Sequence, residues 1–179
     1  MSILQPSKPI ELVQGFTLIE LVMVVCIVAV TATVGLDRLF WYQGQAEKVN
    51  MEYTASMIKS GLWMSSASLM MADRGAEVPT LAQQNPINLL AEKPANYLGE
   101  LDSSKTEAIK GGNWFYDVST KQVIYVVSQR RNFTPVVTDD FMVRYSMKVL
   151  YSEMEITKGK QVKYVAGVTL VPLSKYVWQ

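Results

Sequence analysis

The chain has 179 residues, with 17 lysines and arginines against 16 aspartates and glutamates, and no histidine. A net charge of +1 supplies no basic excess for a nucleic-acid footprint, and the missing imidazoles exclude histidine triads, imidazole general bases and most catalytic zinc sites. The single cysteine, Cys26, excludes an intrachain disulfide and a cysteine-only metal cluster. Composition therefore points to a structural or binding protein and away from an enzyme.

Residues 1–15, MSILQPSKPIELVQG, carry two prolines and no helical period. From Phe16 to Leu36 the chain reads FTLIELVMVVCIVAVTATVGL, with Glu20 its one charged residue. About 20 apolar residues rising ~1.5 Å each span a hydrocarbon core of ~30 Å. Two ordinary readings compete. In one, a secretory signal is cut after Ala32, where Val30-Thr31-Ala32 offers small residues, and a periplasmic or secreted binding module starts at Thr33. In the other, the segment is a plain signal anchor. Both leave Glu20 unexplained, since a carboxylate at mid-membrane costs ~2.5–3.5 kcal/mol on insertion scales and normally has a partner.

The run Gly15-Phe16-Thr17-Leu18-Ile19-Glu20, followed by apolar sequence, resembles the prepilin cleavage and methylation signature. That signature belongs to the type IV pilins and to the pseudopilins of type II secretion and DNA-uptake machines. The resemblance implies cleavage between Gly15 and Phe16 by a prepilin peptidase and methylation of the new Phe16 amine. It implies a single pass through a bacterial inner membrane, with the C-terminal head in the periplasm. Glu20 then pairs with the N-terminal amine of a neighbouring subunit and sets filament register, while Leu18, Ile19, Leu21, Val22 and Val25 pack against other spans. An unpaired buried charge is strongly penalised, so misaligned subunits are rejected. The implied partners are the peptidase, other pilin or pseudopilin subunits, and indirectly an assembly platform and its ATPase; cofactors and nucleic acid are not expected. Gln14 stands where a basic residue is common in the family, a departure that bears on the rate of cleavage. Two further departures point to a minor pilin or pseudopilin: Gly35-Leu36-Asp37-Arg38 lacks the helix-kinking proline of major pilins, and no cysteine pair staples the C-terminal loop.

No proline interrupts residues 10–78. Helical spacing continues from Asp37 to about Ala72, extending the helix that starts at Phe16 to ~85 Å at ~1.5 Å per residue. Ala46, Val49 and Tyr53 recur at three and four residues, and Met57, Met64 and Met71 at seven; Ile58, Leu62 and Leu69 widen the stripe. This stripe is expected to cover a sheet. The serine-rich face (Ser56, Ser60, Ser65, Ser66, Ser68) is then expected to meet water or a neighbour. Gly44 and Gly61 read as weak points, and Asp73-Arg74-Gly75 as a stop.

Residues 73–112 hold Pro79, Pro86, Pro94 and Gly111-Gly112, and read as a long loop with a short helix within Ala82–Glu92. In the resembling family this is the variable αβ loop. After Gly112 the period becomes two. Trp114, Tyr116 and Val118 alternate, then Val123, Tyr125 and Val127, with Ser119-Thr120-Lys121 as a hairpin turn. Phe141 to Tyr151 forms a third strand, and Val162 to Leu170 a fourth, after a Lys158-Gly159-Lys160 turn. The expected fold is α+β: a long N-terminal helix packed on a four-stranded antiparallel sheet, pilin-like in outline. Its segments are a leader (1–15), a transmembrane half-helix (16–36), an amphipathic half-helix (37–72), a variable loop (73–112) and the sheet (113–179).

Other candidate chemistry is sparse. Thr138-Asp139-Asp140 has oxygen ligands for calcium, yet lacks a full set of ~6–8. Glu153 and Glu155 share a strand face and read as a turn pair rather than an acid/base dyad. Arg130-Arg131 is too little charge to hold nucleic acid. A membrane-tethered enzyme would need a carboxylate or serine–lysine site that no spacing reveals.

Overall fold

A computed structural model describes residues 15–102, 109–136, 140–157 and 160–178. The chain divides into two compact units, Met1–Phe40 and Trp41–Gln179. One helix, α1 (Leu18–Met71), runs through the boundary. Three 3₁₀ helices (Gly75–Gln83, Pro86–Leu89, Arg130–Asn132) and seven strands follow among the described residues: β1 (Tyr97–Leu101), β2 (Asn113–Asp117), β3 (Gln122–Val126), β4 (Phe133–Pro135), β5 (Met142–Thr157), β6 (Lys160–Pro172) and β7 (Tyr176–Trp178). The class is α+β, as expected.

In the first unit, α1 is an apolar helix with its side chains exposed. It holds an 18-residue window of mean hydropathy 2.5, long and apolar enough to cross a membrane. Its hydroxyls do not spoil that surface. Thr31 donates to the carbonyls of Ile27 (2.9 Å) and Val28 (3.0 Å), and Thr33 to that of Ala29 (2.9 Å). Each hydroxyl is satisfied within its own helix, as an apolar solvent requires.

In the second unit, α1 ends where the sequence signals it. Asp73 adopts φ 58°, its N–H bonding the Met70 carbonyl while the Arg74 N–H bonds that of Leu69. This is a Schellman cap with aspartate in the left-handed position usually given to glycine. Residues 73–112, expected as loop with one helix, instead contain two 3₁₀ helices and the strand β1. Asn85 caps the second 3₁₀ helix by accepting from the Ile87 N–H at 3.0 Å. Its amide also donates to Tyr97 Oη (2.7 Å) and Glu100 Oε1 (2.9 Å), tying that helix to β1.

The main sheet has five strands, not four, in the order β1-β2-β3-β5-β6. The four strands legible from alternation are the antiparallel part. The fifth, β1, lies parallel to β2 with Tyr97 beside Trp114. Its five residues hold Gly99 and a register shift, so no clean period of two marks it. The β2–β3 hairpin turns at Ser119-Thr120-Lys121 as expected, with Lys121 at φ 55°. The buried carboxylate of Asp117 organises it, accepting from the Ser119 N–H (3.0 Å), Ser119 Oγ (2.7 Å) and Thr120 Oγ1 (2.6 Å). A second sheet pairs β4 with β7. There Phe133 meets Tyr176 and Trp178 at ring-centroid distances of 5.3 and 5.2 Å. Aromatic packing thus holds the C-terminal strand in a chain with no disulfide.

The main core lies between α1 and one face of the large sheet, around Trp114, Tyr125, Val143, Tyr145 and Val168. β2 and β3 are buried on both faces: Phe115, Ile124 and Val126 form a second cluster with Leu101, Ile109 and Met142 packed on it. The expectation of one apolar face per strand fails there, and the unbroken runs WFY and VIYVV are the corresponding signal.

The covering stripe of α1 follows expectation only in part: Ile58 and Leu62 are buried, with Leu69 half-buried against the same core, and the other buried side chains are Met51, Thr54 and Ser66. The stripe of Val49, Tyr53, Met64 and Met71 is 63, 63, 71 and 90% exposed. At 100° per residue the two sets lie on opposite sides of the helix. Periodicity finds an apolar stripe but does not tell which one a sheet covers. Ser66, expected on the outer face, is buried because both its bonds are made. Its Oγ donates to the Leu62 carbonyl (2.7 Å) and accepts from the Val168 N–H (3.2 Å). Gly44 is not a weak point either: it is buried, and a Cβ there would stand 3.1 Å from the Asn132 side chain.

Candidate functional site

The sequence singles out the start of α1, and the structure gives it a defined geometry. Gly15, Phe16 and Thr17 precede the helix, which begins at Leu18 rather than Phe16. Thr17 is the N-cap. Its Oγ1 accepts from the Glu20 N–H at 3.3 Å, and its carbonyl from the Leu21 N–H at 3.1 Å. Thr17-Leu18-Ile19-Glu20 therefore has the capping-box pattern, with Glu20 at the third helical position. A carboxylate there is also favoured by the helix dipole. The spacing of Thr17 and Glu20 is the sequence signal of this cap. Phe16 lies outside the helix, so it and Glu20 are not two positions on one helical face.

Around this cap the surface is open. Gly15 has nothing within 4 Å of where a Cβ would stand. Phe16, Leu18, Ile19, Leu21, Val22 and Val25 are all exposed, as is Cys26. Gly15, Phe16 and Thr17 are thus an exposed, non-helical segment leading into a capped, acidic first turn, Leu18 to Glu20, that is exposed as well. Chemically, such a segment can enter a protease cleft, and the carboxylate can meet a cation brought by another chain.

The remaining candidates sit apart. Arg130 stacks over the Phe141 ring at 4.7 Å, in the 3₁₀ helix before β4. Asp140 forms an ion pair with Arg144, while Thr138 and Asp139 lie outside the described residues. Glu153 pairs across the hairpin with Lys163, whose ammonium lies 4.8 Å over the Tyr151 ring. Among the described residues no three His, Cys, Asp or Glu side chains converge as a metal site would require.

Sequence reasoning also missed Glu47. Its Oε1 accepts from Tyr125 Oη (2.9 Å) and the Ser128 N–H (2.6 Å), and its Oε2 from the Gln129 N–H (2.7 Å). Burial first, then the Glu47 charge, holds the Tyr125 phenol well above its ordinary range. With three donors of its own fold on its carboxylate, Glu47 is a structural fastener rather than a reactive group. Compared with protein-family models, curated proteins and solved structures, the chain matches none.

Proposed function

We propose that the chain is a membrane-anchored assembly subunit that acts by packing with other subunits rather than by catalysis. More specifically, we read it as a minor pilin or pseudopilin of a type IV pilus or type II secretion-like filament. Prepilin peptidase cleavage at Gly15-Phe16 would release it for assembly, with its head in the periplasm. One observation carries this reading: the only charge between Phe16 and Leu36 is Glu20, placed in the capped first turn of an otherwise apolar, exposed helix. Such a helix is driven into lipid by its side chains. Once there, the carboxylate needs a cation. Cleavage after Gly15 creates an amine at Phe16, and a neighbour's amine can supply that cation where the subunits are aligned.

The test is Glu20→Ala in the full chain. The variant is expected to reach the membrane at normal levels and to be lost from multi-subunit assemblies recovered with a tagged copy. Normal incorporation of Glu20→Ala would sink the reading.

A further inference from the structure

The large sheet has one edge that the fold leaves undefended. β3 pairs with β5 only from Met142 to Ser146, so beyond Ser146 the strand has a described ladder partner on one side alone, β6. Alternation fixes the side that each residue offers. The Arg144 carbonyl accepts from the Leu173 N–H (2.8 Å) and its N–H donates to Ser174 Oγ (3.0 Å), both on the β6 side. The Phe141 carbonyl accepts from the Val127 N–H (2.8 Å), on the β3 side. Even-numbered residues of β5 therefore bond to β6, and Val149, Tyr151 and Glu153 turn their N–H and C=O groups to the open side. The extra residue of the bulge near Gly167 lies in β6, so the alternation holds along β5 as far as Glu155.

The other edges are blunted. β1 has five residues and is interrupted by a register shift. On β6 the outward Val168 N–H donates to Ser66 Oγ (3.2 Å), the bulge breaks the row, and Pro172 offers no donor. The open side of β5 has none of these devices: no proline and no extra residue stands between Met147 and Glu155. A row of alternating donors and acceptors at strand spacing is matched by one kind of molecule, an extended polypeptide. The side chains specify it further. Leu150, Ser152 and Met154 share one face of the strand without charge, and Met154 is 55% exposed. The other face holds Tyr151, equally exposed, and Glu153, whose cross-strand neighbour Lys163 stands on the β6 side only. An incoming strand thus meets an apolar face and a face bearing negative charge.

We propose that the open edge of β5, from Val149 to Glu153, takes up an extended segment of another polypeptide as an added strand, apolar where it faces Leu150, Ser152 and Met154 and basic beside Glu153. The inference stands apart from the membrane-subunit reading, since it uses the sheet alone. The test follows backbone amide exchange by NMR in the full chain in detergent micelles, with a short capped peptide of alternating valine and arginine as the probe. Without peptide, the amides of Val149, Tyr151 and Glu153 are expected to exchange fast, and those of Leu150, Ser152 and Met154, bonded to β6, slowly. The peptide should slow the first three at least about tenfold and leave the second three nearly unchanged, an alternation that strand addition produces and general tightening does not. Glu153→Lys is expected to lose this response and to gain one to a peptide of alternating valine and glutamate. Four results would overturn the proposal: protection of Val149, Tyr151 and Glu153 without peptide, protection that appears on concentrating the chain alone, no slowing at the solubility limit of the arginine peptide, or equal slowing of the parent chain by both peptides. None of them bears on where the matured chain begins, so the subunit reading is tested separately.

Discussion

Glu47 holds α1 to the turn that follows β3 through three donors, two of them backbone N–H groups. Hydrogen bonds to a charged acceptor contribute more than neutral ones, and the loss leaves the Ser128 and Gln129 amides seeking new partners. Discounted for its partial exposure, Glu47→Ala is expected to lower unfolding stability by roughly 2 kcal/mol. Glu47→Gln retains one acceptor oxygen but turns an NH₂ towards an N–H donor, so it should fall between the two. Chemical denaturation reads the difference, and an alanine variant as stable as the parent would refute the assignment. Nothing in the sequence distinguishes Glu47 from a solvated helix carboxylate, because its donors are 78 to 82 residues away in the chain. Glu20 is the contrary case. Its isolation in an apolar run is legible in the sequence, and the structure adds the local fact that it sits in a capped turn.

At the scale of elements, helices and hairpins with local signals were legible and non-local ones were not. The stop at Asp73, the Ser119–Lys121 turn and the alternating strands all depend on neighbours in sequence. β1 pairs in parallel across a connection, and the choice between two apolar stripes on α1 depends on what the sheet meets. The β5–β6 ribbon shows the same limit. Its register shifts where Leu150 faces Gly167 and Tyr151 faces Val165. The bulge turns Val165 towards the core and leaves Val162 and Tyr164 exposed, although simple alternation groups those two with Val168 and Leu170. Gly167 makes the bulge with φ 151°, a region nearly restricted to glycine. A Cβ there would meet Trp63 and Ser66 at 3.6 and 3.7 Å, ordinary contact distances. Gly167→Ala is therefore expected to cost ~1–3 kcal/mol through the backbone alone. Gly75→Ala, with open space around it, serves as the control in the same melting experiment. Equal melting temperatures for the two variants would show that the bulge tolerates a side chain.

At the scale of the whole molecule, the low overall charge resolves into two apolar surfaces of different kinds. One is the uniformly apolar helix of the first unit; the other is the outer stripe of the second unit's helix. In an aqueous compartment such exposed surface is a liability; the helix of the first unit is compatible with a single membrane span, and the subunit reading proposed above adds neighbours as further cover. The account turns on where the chain begins once matured in a bacterial cell that has a prepilin peptidase. Intact-mass and N-terminal peptide analysis of the membrane-extracted protein measures this directly. The predicted result is a chain starting at Phe16 and carrying one extra methyl group on its amine. A chain starting at Thr33, or one retaining residues 1–15 in full, would contradict the account.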